Sequence, residues 1–250
     1  MSKKKRIVII GATSAMAEHC ARLWVHGQSV DLTLVGRDAS RVERVAADLR
    51  VRSPQSEIRI VQSDFLDTKA IRSTVDAIVT QGDVDVVLIV HGSLPAQSEC
   101  QDNLEVCSDA LEVNGVSPVL FAEAFAKHMG KANSGTLALI GSVAGDRGRK
   151  SNYVYGAAKG MVTRYAQGLQ HRFAGTGVKV VLIKPGPTET PMTAHLKGQG
   201  PKMASAEEVA QKIVDAVDRG QLVVYVPGKW ALIMMIIRHL PSFVFFRMNI

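Results

Sequence analysis

The sequence predicts an α/β fold: a single domain on a doubly wound parallel sheet of about seven strands, helices on both faces, and an apolar extension at the C-terminal end. Three observations carry this. Strand-length runs alternate with helix-length segments along most of the 250 residues, and such alternation implies right-handed crossovers between parallel neighbours. Several of the runs are continuous Val/Ile/Leu, as expected of strands covered on both faces. The chain is 46% hydrophobic and shows no repeat, low-complexity segment or Pro/Gly-rich linker, so one core is the economical reading.

In order, strands are expected at 6–10, 31–35, 57–61, 84–90, 135–140, 178–183 and 221–226. Helices are expected at 15–27, which is Ala-rich and ends in Gly27, at 41–50 and 68–80, and in two longer pieces at 102–129 and 153–173. The sheet core therefore runs over 6–226. Residues 187–204, rich in Thr, Pro, Gly and Lys, read as a loop over the substrate, with His195 as a polar residue on it. Residues 228–250 form the apolar and basic extension.

The net charge of +7 sits at the ends. Lys3, Lys4, Lys5 and Arg6, with Lys229, Arg238 and Arg247, account for all of it, so the body between is neutral. That argues against a broad nucleic-acid-binding face. Basic ends beside apolar residues suit an anionic membrane surface, although solubilising tails are the plainer reading of the N-terminal run. Cys20, Cys100 and Cys107 lack C-x-x-C spacing and point to neither a disulfide framework nor a metal site. The apolar stretch after Arg6 is too short for a signal-peptide core, and the apolar run 230–237 is far below the ~20 residues that cross a bilayer. A reduced, cytoplasmic setting is expected. Residues 229–250 either make a peripheral contact with the inner face of the membrane or pack against the domain or a second subunit.

The first strand ends in Gly11-Ala12-Thr13-Ser14-Ala15-Met16-Ala17 and a helix follows. A dinucleotide-binding, Rossmann-type sheet places its tight turn here, so that helix N–H groups and the helix dipole meet a pyrophosphate. Gly11 permits the turn. Ala15 and Ala17 stand where glycines would allow still closer approach, and Thr13 and Ser14 add hydroxyls. Arg37 follows the second strand, where an NAD-selective site places an acid for the ribose 2′-OH. This favours NADP(H), with NAD(H) as the alternative. Asp64, followed by Phe65, stands where a carboxylate could accept from the adenine amine, or could instead cap the next helix. His91-Gly92 closes the fourth strand beside the expected cofactor path.

Tyr155 and Lys159 are four residues apart on one helix and so share a face. Ser142 follows the fifth strand, on the carboxyl edge where ligands bind in such sheets. Together they suit ketone reduction: Tyr155 as proton donor, Lys159 lowering its pKa and holding ribose hydroxyls, Ser142 hydrogen-bonded to the carbonyl oxygen. Asn114 could hold a water that resupplies protons. Arg147, Arg149 and Lys150 precede the Tyr155 helix and either face an anionic substrate group or form a solvated loop.

With these residues in place the chain resembles a short-chain dehydrogenase/reductase over about residues 6–226. Two departures are the glycine-poor turn at 11–17 and Val90-His91-Gly92, where the family has Asn-Ala-Gly. Pro185-Gly186-Pro187-Thr188 matches the family's Pro-Gly turn, which implies that Pro185, Gly186 and Thr188 border the nicotinamide carboxamide. A narrower resemblance rests on Ser142-Val143-Ala144-Gly145-Asp146-Arg147, on 151–156, on 190–197 and on 237–241. These are similar to the decaprenylphosphoryl-2-keto-pentofuranose 2-reductase subfamily, which reduces a keto-sugar carried on a polyprenyl phosphate. That resemblance implies a role in cell-envelope sugar biosynthesis and a lipid-linked ketone as substrate. The alternatives are a reductase of soluble 3-oxoacyl or steroid-like ketones and a non-catalytic NADP-binding sensor or scaffold. A homodimer or homotetramer is expected, with no metal.

Overall fold

The computed structural model describes residues 4–196, 198 and 202–248. Seven parallel strands form the main sheet: β1 (Lys5–Ile10), β2 (Val30–Gly36), β3 (Glu57–Gln62), β4 (Val86–Ile89), β5 (Gly135–Ile140), β6 (Val178–Pro185) and β9 (Val223–Val226). Their order is β3-β2-β1-β4-β5-β6-β9. The direction of winding reverses between β1 and β4, which opens a crevice at the carboxyl ends of these strands. β7 (Thr188–Glu189) and β8 (Ala204–Ser205) pair separately, inside the segment expected to be a loop.

The continuous apolar runs have the predicted cause. Side chains alternate between the two faces of each strand, and both faces are covered. Ile7, Ile9, Leu32, Leu34 and Leu88 pack on one side beneath α1 (Ala15–Val25), α2 (Ala39–Arg52) and α8 (Ala206–Arg219). Val8, Ile10, Val87 and Leu139 pack on the other beneath α3 (Thr68–Val79), α6 (Ser117–Ala132) and α7 (Tyr153–Arg172). The helix α8, opened by a Ser205–Glu208 capping box and closed by Gly220, is an addition to the sequence-based expectation.

The helix expected at 102–129 runs without interruption over 104–132, with one π-helical turn inside it, and a separate short helix precedes it. α4 (Gln97–Asp102) ends, Asn103 turns extended and caps α5 (Leu104–Leu111) by accepting from Val106 N, and a π-helical turn spans Glu112–Val116 before α6. Pro118 supplies the reason for the last irregularity: it has no N–H to continue an α-helical ladder into α6. Asn114 sits on this π turn, not in a regular helix.

The described part of the N-terminal basic run is used internally. Lys4 pairs with Glu57, Lys5 with Asp218, and the buried Arg6 with Asp31 and the carbonyls of Ile78, Gly82 and Asp83. After β9 the extension folds as α9 (Lys229–His239) and α10 (Ser242–Phe245), resting on the sheet edge through Trp230 and Met234. No helix among the described residues is long and apolar enough to cross a membrane. Residues 197 and 199–201 of the expected loop, and the side chain of His195, lie outside what is described.

Candidate active site

At the β1 edge, Gly11 takes a positive φ of 91°, and its N–H and that of Ala12 both donate to Val35 O. The Ser14 hydroxyl makes no cap bond, and no described group accepts from the N–H groups of Ala15, Met16 or Ala17. Three unpaired backbone donors thus stand at a helix N-terminus, with the Thr13 and Ser14 hydroxyls on the turn before it, the donor set a pyrophosphate needs. Arg37 is exposed, and its guanidinium has no partner among the described residues. Asp64 accepts from Leu66 N at 2.8 Å through one carboxylate oxygen, while Asp67 caps α3 through Lys69 N. Asp64 is thus not the helix cap, and its second oxygen is free. These features fit a phosphorylated dinucleotide.

Phe65 and His91 turn inward. Phe65 is 4% exposed and meets the His91 ring edge-on at 4.7 Å, so only its backbone can face the crevice. His91 Nε2 bonds Ser117 Oγ at 2.9 Å, and Nδ1 is buried without a protein partner. Burial, followed by the nearby Lys159 and Arg37 charges, pushes its pKa down to about 3.

At the β5 edge, Ser142 caps a 3₁₀ turn at Val143–Gly145, accepting from Ala144 N at 3.1 Å. This turn lies directly on α7: a Cβ on Gly145 would stand 2.6 Å from the Lys159 carbonyl carbon and oxygen. Only a glycine permits that approach, which brings Ser142 against the face carrying Tyr155 and Lys159. Lys159 is 3% exposed and donates to Ile140 O at 3.1 Å, with its ammonium 5.8 Å from the Tyr155 ring centre. It has no carboxylate partner among the described residues, and burial lowers its pKa to about 8. The phenol of Tyr155 is raised by burial, against opposing influences from the Ser142 hydroxyl and the Arg149 guanidinium. Two cations thus stand near the phenol: the Arg149 guanidinium and the Lys159 ammonium, whose nitrogen lies 5.8 Å from the ring centre.

Asn114 is fully buried and committed to the protein. Its Oδ1 accepts from Ser93 N at 2.9 Å, and Nδ2 donates to Ala110 O at 2.8 Å and Ser93 Oγ at 3.2 Å. Its side chain ties the chain after β4 to the π turn, leaving no side-chain donor for a water.

The three basic residues before α7 separate. Arg147 donates from Nη1 to Ile237 O at 2.6 Å and Leu240 O at 2.7 Å and stacks on Phe245 at 3.9 Å. Lys150 is exposed. Arg149 has a buried Nε without a protein partner, close to Tyr155. Gln97 Nε2 and Asn152 Oδ1, both on segments flanking the start of α7, are likewise buried and unpartnered.

Beyond the predicted set, Asp146 is the residue the sequence reading passed over. Its carboxylate accepts from Lys184 Nζ at 2.5 Å and Tyr225 Oη at 2.7 Å, with the ion-pair side chains 2% and 4% exposed. Lys184 immediately precedes the Pro185–Gly186 turn. Thr188 Oγ1 donates to Gly186 O at 3.0 Å, closing that turn, and the Trp230 indole lies against Gly186 so closely that an added Cβ would be 2.0 Å from Nε1. The signal was available: a lone lysine in the apolar strand Val-Val-Leu-Ile-Lys-Pro needs a buried counter-charge. Among the described residues no group of three His, Cys, Asp or Glu could hold a metal.

The family model for short chain dehydrogenases matches residues 5–200. The chain belongs to that family, a class of oxidoreductases. Among its relatives, an uncharacterized oxidoreductase of Mycobacterium tuberculosis is 30% identical over 245 residues, covering 97% of this chain and 96% of that protein. An uncharacterized oxidoreductase of Streptomyces coelicolor is 28% identical over 98% of this chain and 96% of its own length. In fold the chain is similar to a short-chain dehydrogenase from Sphingobium yanoikuyae solved with NADPH: TM-score 0.81, 22% identity, covering 95% of this chain and 97% of that one. It is similarly close to a short chain dehydrogenase from Burkholderia cenocepacia solved with NADP: TM-score 0.82, 17% identity, covering 98% and 97%.

Proposed function

We propose that the protein is an NADP(H)-dependent carbonyl reductase that converts a ketone to a secondary alcohol. The observation that carries this is the gathering of Ser142, Tyr155 and Lys159 on one sheet edge, across the crevice from a helix N-terminus with free N–H groups.

The N–H groups of Ala15, Met16 and Ala17 with the hydroxyls of Thr13 and Ser14 hold the pyrophosphate. Arg37 takes a ribose 2′-phosphate, and the free Asp64 oxygen takes the adenine amine. The backbone at Phe65, His91 and Gly92 lines the adenosine side. Pro185, Gly186 and Thr188 border the nicotinamide carboxamide. When bound, the cofactor supplies hydride to the carbonyl carbon. Tyr155 delivers its proton to the carbonyl oxygen, a role for which a phenol that stays protonated near neutrality is suited. Ser142 donates a hydrogen bond to the same oxygen and shares its developing charge. Lys159 spends one proton on Ile140 O and has two left for ribose hydroxyls. Asn114 holds the loop after β4 in register with α7.

The finer reading is a keto-sugar linked through phosphate to a polyprenyl chain. Its support is Arg149, a half-buried cation beside Tyr155 whose buried Nε has no protein partner, which suits a phosphate-bearing substrate. A single-domain subunit assembled as a homodimer or homotetramer completes the proposal. Tyr155→Phe tests it: NADPH binding is expected to persist while turnover of phosphorylated and neutral ketones falls about 10²–10⁴-fold. Full turnover in that variant removes the proton-donor role.

A further inference from the structure

The helix α9 is apolar around its whole circumference but covered on one side only. Trp230 and Met234 are buried with Val143, and Ile233 and Ile237 pack beside them. The opposite face presents Leu232, Met235 and Ile236, exposed at 60%, 49% and 53%, and α10 adds Phe243 and Phe246 at 69% and 79%. A helix apolar on every side is ordinarily enclosed on every side, and large exposed apolar side chains gathered on two consecutive short helices mark an interaction surface. Lys229, Arg238 and Arg247 are exposed around it. None of the ion pairs among the described residues includes them, and 228–250 holds no Asp or Glu. The patch is held in place, since Arg147 grips the last carbonyls of α9 and stacks on Phe245.

We propose that α9 and α10 dock on an anionic lipid bilayer, the five exposed apolar side chains entering the headgroup–acyl boundary and the three cations meeting lipid phosphates. Charge selects this occupant over a second copy. A two-fold contact through this face would bring two tails together, each with three cations and no acid. A bilayer carrying anionic headgroups accepts both the apolar and the basic residues. The grip of Arg147, five residues after Ser142, then fixes the reaction cleft at the membrane surface. This inference rests on the tail alone and stands whichever ketone is reduced.

The test is flotation of the full-length protein with phosphatidylcholine vesicles and with phosphatidylcholine–phosphatidylglycerol vesicles. Flotation is expected with the anionic vesicles only, and release by high salt. Phe243→Ser with Phe246→Ser, and separately Arg238→Glu, are each expected to weaken vesicle binding by at least about tenfold. Both variants keep wild-type turnover of a soluble ketone and wild-type mass by light scattering. Failure to float with anionic vesicles overturns the proposal. So does binding that both variants leave intact, and so does a change of oligomeric mass in either variant, which makes the face a contact between copies.

Discussion

Two lysines of this molecule are buried to the same degree, and their surroundings could hardly differ more. Lys159 and Lys184 are each 3% exposed, on neighbouring elements near the carboxyl edge of the sheet. Lys184 reaches Asp146 at 2.5 Å, and Tyr225 fills the second carboxylate oxygen. Lys159 finds one backbone carbonyl and no acid, and burial pulls its pKa down to about 8. A cation sealed away with its counter-charge is a structural strut. A cation sealed away without one is held there at a cost, and that cost is the mark of a functional site.

Removing one member of the strut is expected to have the largest effect. Lys184→Met strands a buried Asp146 carboxylate and should lower unfolding stability by about 3–5 kcal/mol, read by denaturant titration. Lys184→Met combined with Asp146→Leu should recover much of that loss. A single variant of wild-type stability breaks the contrast.

Lys159→Met is expected to do the reverse. Stability holds or rises, because a desolvated charge without an acid has been removed, while turnover falls about 10²–10³-fold. A parallel loss of stability would make Lys159 a strut as well.

Arg149, another cation near Tyr155 without a carboxylate partner among the described residues, sharpens the comparison. Arg149→Gln should raise KM for a phosphate-bearing ketone about 10–100-fold and leave KM for a neutral ketone nearly unchanged. Equal effects on both remove the anion-binding role.

The smallest effects concern pH. The ammonium of Lys159 is present below its pKa, so kcat/KM should fall as pH rises through about 8. His91 titrates near 3 folded and near 6.5 unfolded, so between those values the unfolded chain binds a proton the folded chain does not. Its contribution to stability is therefore complete above about 6.5 and is lost as pH falls toward 3. His91→Gln should flatten that slope in acid-unfolding curves.

Much of this was legible in the residues alone. Strand-length apolar runs alternating with helix-length segments gave the parallel sheet, because a strand covered on both faces must be apolar along its whole length. Ser142, Tyr155 and Lys159 could be placed together because the last two share a helix and the first follows the adjacent strand. The Asp146–Lys184–Tyr225 cluster was not legible, since its members lie 38 and 79 residues apart and local spacing says nothing of such pairs. The same distance hid the fate of Arg147, which reaches partners 90 and 93 residues on. The short helix α4 ahead of Asn103 was missed because Gln97–Asp102 is polar and carries no apolar period to mark it.

Trp230 and Gly186 touch where the tail crosses the strand end, and that contact makes a missing methyl group into a latch. Alanine at 186 would evict the indole or shift the turn on which the nicotinamide ring is proposed to rest. Amputation of the tail would leave the same turn bare and loose. Damage at either end of this single contact should thus be felt at the other, although β7, β8, α8 and β9 all lie between the two residues in sequence.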